Sequence, residues 1–176
     1  MAIKPEILFS KEIIERRVKE LAEQMSRDYA GKDILIVGIL KGAFIFMADL
    51  IRRLDLSCSV DFVRLASYGD GCVSSGEVRL TKDLEMPIAG RDVLIVEDIV
   101  DTGLTLSRLV QLLRERGPAS LRVCAFLDKT ERRKVPFTAD YVGFFIPDRF
   151  VVGYGLDYNE QFRFLPDVCI LKDIAS

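Results

Sequence analysis

The stretch ILIVGIL at residues 34–40 is continuously apolar apart from Gly38, and VLIV at 93–96 is apolar throughout. A strand with one wet face alternates apolar and polar side chains, so unbroken runs of this kind fit strands buried on both faces. Each run leads into helical spacing. KGAFIFMADLIRRL from Lys41 reads as a helix, and Leu106, Leu109, Val110 and Leu113 mark one face of another, which Gly117-Pro118 terminates. Two β-loop-α units predict a mostly parallel central sheet flanked by helices. Upstream, Ile14, Val18, Leu21 and Met25 predict an amphipathic helix over 10–29 with Ser10 as its N-cap. Residues 58–66 and 121–127 read as further strands, and YVGFFI, FVVGYGLDY and VCIL as short strands and turns. With 176 residues, 49% of them hydrophobic, and no linker, the chain suits one domain over 1–176.

Several function classes drop out on composition. The chain has no histidine, which removes His-based triads and His metal sites, so any catalysis uses carboxylate, lysine, hydroxyl or a bound cation. Cys58, Cys72, Cys124 and Cys169 are far apart, with no C-x-x-C, which speaks against a disulfide framework or thiolate metal site. At least three of them read as small core hydrophobes. A net charge of −2 gives no global field for nucleic acid, although RRLDLS and ERRK are local basic patches to weigh. No window has the apolar length of a membrane span, and MAIKPEILFSKEIIERRVKEL carries acids where a signal peptide is apolar, so the expected location is cytoplasmic.

VLIVEDIVDTGLTL, residues 93–106, holds the chemistry. The buried run ends in Glu97 and Asp98, then Asp101, Thr102, Gly103 and Thr105, between strand end and helix start. In parallel sheets ligands bind at that end. The Thr102 and Thr105 hydroxyls, with the free N–H groups of a Gly turn and a helix N-terminus, suit a phosphate. Carboxylates repel phosphate and so serve something else: adjacent acids point in different directions, one toward a sugar diol, both toward Mg²⁺ through water. Any one of these residues reads equally well as a helix cap. Three acids and two threonines in nine positions exceed what capping needs, and adjacent carboxylates repel unless a cation is shared. Neither a Walker loop nor G-x-G-x-x-G is present. The segment Ser67 to Leu80, where glycines, serines and charges break every period, reads as a mobile loop or open hairpin. Ser67 and Tyr68 would bring hydroxyls to a lid that excludes water, and a plain surface loop is the alternative.

VLIVEDIVDTGLTL resembles the phosphoribosyl pyrophosphate motif of the phosphoribosyltransferases. LKG at 40–42, SYG at 67–69, Lys129 and IPDRFVVGYGLDYNEQFR at 146–163 extend the likeness to the hypoxanthine-guanine branch and to nearly the whole chain. The resemblance implies a type I fold with a small hood formed by terminal segments, and transfer of ribose 5-phosphate from phosphoribosyl pyrophosphate to N9 of a 6-oxopurine. It assigns the phosphoribosyl loop to Glu97, Asp98, Ile99, Val100, Asp101, Thr102, Gly103, Leu104 and Thr105, with Asp101 as the base that accepts a purine ring proton. Leu40, Lys41, Gly42 and Arg163 fall to the pyrophosphate, the peptide before Lys41 being often cis in the family. Lys129, Phe150, Val151 and Asp157 fall to the purine pocket, and Glu97, Asp98 and Asp157 to Mg²⁺. Read without the family, Lys41-Gly42 is equally a helix start, Phe150 a core residue, Asp157 a turn residue and Arg163 a surface cation. Leu104 and Ala43 depart from some relatives, which carry Lys and Gly there; altered affinity is the expected consequence. The implied partners are the two small-molecule substrates and a second or further copy of the chain, as homodimer or homotetramer. Nucleic acid and membrane are not expected. An RNA-binding regulator of the same fold and a xanthine-preferring enzyme are the alternatives.

Overall fold

The computed structural model describes residues 5–67 and 78–172. Its centre is a six-stranded sheet of β2 (Ile34–Leu40), β3 (Cys58–Ser67), β4 (Val78–Lys82), β5 (Asp92–Val100), β6 (Ser120–Asp128) and β7 (Tyr141–Phe145) in the order β4-β3-β2-β5-β6-β7. All pairings are parallel except β3 with β4. The unbroken apolar run of β2 is explained by its central place, since Ile34, Leu35, Ile36 and Val37 are all fully buried.

Alternation along these strands feeds two cores. Ile34 and Ile36 of β2, Leu94 and Val96 of β5 and Phe126 of β6 face α1 (Lys11–Asp28) and α2 (Phe44–Ile51), whose Ile14, Val18, Leu21, Phe46 and Leu50 fill that side. Leu35, Val37, Val93 and Ile95 face the opposite way, onto Leu106, Leu109, Val110 and Leu113 of α3 (Leu104–Arg114). Period two in the strands against 3.6 in the helices produces this division. The chain leaves β2 for β3 on one side and β5 for β6 on the other, so the strand order reverses between β2 and β5. A crevice opens at the carboxyl ends of such a pair.

A second sheet, β1 (Pro5–Phe9), β9 (Val168–Leu171) and β8 (Val151–Val152), joins the two ends of the described chain as the expected hood. Tyr154 pins the segment after β8 to the main body: its ring lies 4.9 Å from that of Phe126, and its hydroxyl donates to Asp49 at 2.6 Å.

Three expectations need correction. The first helix covers Lys11–Asp28 with Ser10 at its N-cap and Tyr29 at its C-cap, as expected, but Ser10 makes no side-chain capping bond. Helix α2 begins at Phe44 instead of Lys41, because residues 41–43 form a turn. Strand β5 does not stop at Val96 but continues to Val100, so Glu97 and Asp98 lie within the strand and not after it. The hairpin option for Ser67 to Leu80 holds at its base, where Ser67 pairs with Val78, while Tyr68 and the centre of the proposed lid lie outside the described residues. Cys124 and Cys169 are buried and Cys58 half-buried, all as free thiols; Cys72 is outside the described residues.

Candidate active site

The crevice between the ends of β2 and β5 collects the residues singled out in sequence. Because side chains alternate along a strand, Glu97 and Asp98 open onto two different cavities. Glu97 lines one of about 210 Å³ with Ile99, Val100, Asp101, Thr102, Gly103 and Thr105. Asp98 lines another of about 240 Å³ with Ile99, Asp101, Lys129, Phe150, Val151 and Asp157. Asp101 borders both. Gly103 takes φ +80°, a left-handed turn that admits glycine readily, and starts α3 without a side-chain cap or any acid in its first turn. The N–H groups at that helix start therefore keep their attraction for an anion. Leu104 and Thr105 next to it are exposed.

The acids are electrostatically tense. Asp98 N–H donates to Glu97 Oε1 at 2.9 Å and Ile99 N–H to Asp98 Oδ1 at 2.7 Å. Desolvation, then the charge of Asp98, pushes the Glu97 carboxyl well above the usual carboxylate range, and desolvation also raises Asp98. Among the described residues no three acidic groups converge into a complete cation cage. Asp101 Oδ1 is a buried acceptor without a hydrogen bond, although Arg132 Nε stands 3.1 Å away at an unsuitable angle. That oxygen has a guanidinium nearby but no aligned hydrogen bond.

Around the β2 end, the Leu40–Lys41 peptide is cis. The Gly42 α-carbon is pressed against the Asp98 carboxylate so closely that a Cβ there would overlap Asp98 Oδ2, and a Cβ on Gly155 would overlap the Gly42 carbonyl oxygen. Arg163 closes this side, donating to the Gly155 carbonyl at 2.7 Å and meeting Asp157 Oδ1 at 2.8 Å, with its buried Nε unpartnered. Glu160 bridges the two cations, 2.9 Å from Lys41 Nζ and 3.4 Å from Arg163 Nη2.

The base-side cavity has a buried lysine. Lys129 is 7% exposed, and its ammonium has a carboxylate no nearer than Asp148 at 3.9 Å. Phe150, 44% exposed, offers a ring face set edge-on to Tyr158 at 5.5 Å. The site thus unites Leu40 to Gly42, Glu97 to Thr105, Lys129, Phe150, Val151, Asp157 and Arg163. Of the two proposed lid residues, Ser67 ends β3 and Tyr68 is undescribed. Sequence reading missed Gly155, Glu160, Asp148 and the pair Arg132-Arg133. The last two had been weighed only as a basic patch, and nothing local in ERRK announces Asp101, some thirty residues upstream, as a partner of both.

A phosphoribosyl transferase domain profile matches residues 6–159 of this chain. A hypoxanthine-guanine phosphoribosyltransferase of Aquifex aeolicus is 50% identical over 171 residues, covering 97% of this chain and 96% of that one. The chain belongs to the phosphoribosyltransferase family, in its hypoxanthine-guanine branch. Bacillus subtilis has a further member of the branch at 50% identity over 94% of this chain and 92% of its own. The crystal structure of a hypoxanthine phosphoribosyltransferase from Staphylococcus aureus superposes with a TM-score of 0.92 at 49% identity, covering 97% of this chain and 92% of that one. The type I phosphoribosyltransferase fold is thereby shown.

Proposed function

We propose that this phosphoribosyltransferase salvages purines by moving the 5-phosphoribosyl group of phosphoribosyl pyrophosphate onto N9 of hypoxanthine or guanine, giving IMP or GMP and pyrophosphate. The observation that carries this reading is the place of Asp101 on the border of two cavities, one with helix-start N–H groups and hydroxyls, the other with a buried lysine and an aromatic face. The 5′-phosphate sits on Asp101 to Thr105, and the ribose hydroxyls meet Glu97 and Asp98. A 6-oxopurine stacks on Phe150, receives a hydrogen bond from Lys129 at its 6-oxygen and has its ring edge read by the Val151 backbone. Adenine would meet that donor with a donor. As N9 bonds to the anomeric carbon and the C–O bond to pyrophosphate breaks, the oxygen keeps the electron pair and Asp101 takes the ring proton. Lys41, Gly42 and Arg163 hold the departing pyrophosphate, which must first displace Glu160 from the two cations.

Glu97 and Asp98 suit one Mg²⁺, and Asp157 a second on the pyrophosphate. The ion binds through one or two carboxylates together with substrate phosphates and waters, so a full protein cage is not required, and two desolvated adjacent acids are what a divalent cation relieves. Bound there it would neutralise charge growing on the pyrophosphate. Excess chelator is expected to abolish transfer, and full activity in chelator would remove these acids from any metal role. Assembly with further copies of the chain, as homodimer or homotetramer, belongs to the same reading. The location is cytoplasmic on this reading; among the described residues no helix is long and apolar enough to cross a membrane.

An RNA-binding regulator gains no support, since Arg52 and Arg53 pair with Asp49, Arg132 with Asp101 and Arg133 with Asp128. A saturation assay of hypoxanthine, guanine, xanthine and adenine with one donor and Mg²⁺ tests the whole reading. Hypoxanthine and guanine should turn over and adenine should not. A preference for xanthine would move the chain to the rival specificity, and no turnover of any base would end the proposal.

A further inference from the structure

Three consecutive carbonyls of the phosphoribosyl loop are held by one short strap that follows β6. Lys129 N–H donates to the Val100 carbonyl at 2.9 Å, Arg133 Nη1 to that of Asp101 at 2.7 Å, and Lys134 N–H to that of Thr102 at 2.9 Å. In a trans peptide the carbonyl and the next N–H point opposite ways. Tying those three oxygens to the strap therefore turns the N–H groups of Asp101, Thr102 and Gly103 away from it, as an anion nest requires. The outer two ties are backbone bonds that any residue provides. The middle one depends on a side chain.

That side chain is braced from below. Arg133 Nη2 pairs with the Asp128 carboxylate, and the two side chains are 15% and 3% exposed. The Arg133 stem also packs under Gly103, where an added Cβ would come within 3.0 Å of its Cδ. Asp128 ends β6 immediately before Lys129 of the base-side cavity, so one guanidinium links that cavity's wall to the backbone of Asp101.

We propose that Arg133 is a positioning residue: its fork, braced on Asp128, sets the orientation of Asp101 and the N–H groups after it, so that base pocket and phosphate loop keep one mutual geometry. The inference rests on the transferase reading above. A planar fork serves two acceptors at fixed angles, whereas a lysine ammonium keeps the charge beside Asp128 but not the geometry. Misplacement of a reacting group by a fraction of an ångström to 1 Å costs up to about 10²-fold.

Wild type, Arg133→Lys and Arg133→Ala are compared by steady-state kinetics with hypoxanthine and donor, and by thermal melting. Arg133→Lys should lose about 10-fold to 10²-fold in kcat with a smaller change in either KM, and its melting temperature should stay close to wild type because the buried carboxylate keeps a cation. Arg133→Ala should lose more, and millimolar guanidinium should restore part of its kcat without raising its melting temperature. Wild-type kcat in Arg133→Lys would overturn the proposal, as would loss of its fold or losses that track only the folded fraction, since Arg133 would then be a structural brace. Absence of transfer in the wild type would instead sink the transferase reading.

Discussion

Asp101→Asn is expected to lower kcat by about 10² or more while binding of phosphoribosyl pyrophosphate survives. The amide keeps the size and shape of the carboxylate, so the turn before Gly103 and the α3 start persist. What disappears is an acceptor for a proton. A 6-oxopurine reacting through N9 must shed one, and histidine, the usual base near neutral pH, is absent from the chain. Lys129 is a donor in this arrangement, and Glu97 opens on the other cavity. The buried, undonated Oδ1 of Asp101 is the acceptor left on the border between the two. Single-turnover rates and donor titration on the same variant separate chemistry from binding. An unchanged rate would strip Asp101 of the base role, and equal losses in both would make it a binding residue.

Local signals in the sequence marked the frame of this site well and its internal wiring poorly. ILIVGIL and VLIV were legible as central strands because burial on both faces leaves an unbroken run, and α3 because four apolar residues keep its period. Acids end an apolar run without ending a strand, which is why β5 was read four residues short: Glu97 and Asp98 remain in its ladder although their side chains belong to the crevice. The strand Pro5–Phe9 went unread because its five residues mix charge and apolar character and take their order from pairing with Val168–Leu171. The clamp of Arg133 on Asp128 and Asp101 joins residues that no periodicity connects. Contacts across the chain are set by topology, and a local pattern carries no trace of them.

Gly42→Ala tests one such contact and should impair donor use strongly. The new Cβ would overlap Asp98 Oδ2, while the carbonyl of the same residue is confined beneath Gly155. The loop has little room to move aside, and Asp98 is itself tied through Oδ1 to the Ile99 N–H at 2.7 Å. Either the carboxylate swings out of the crevice or the Lys41-Gly42 turn shifts off the pyrophosphate. Both outcomes cut donor use, and kcat/KM for the donor should fall by about 10² or more. The fold should survive, because Lys41 is exposed and Gly42 half-buried and the change leaves the two cores intact. The double variant Gly42→Ala with Asp98→Ala identifies the cause. Removing the carboxylate makes room for the methyl, so its loss should be clearly smaller than the product of the two single losses. Independent effects that simply multiply would mean that the methyl acts on the turn alone and that the Gly42–Asp98 contact is incidental.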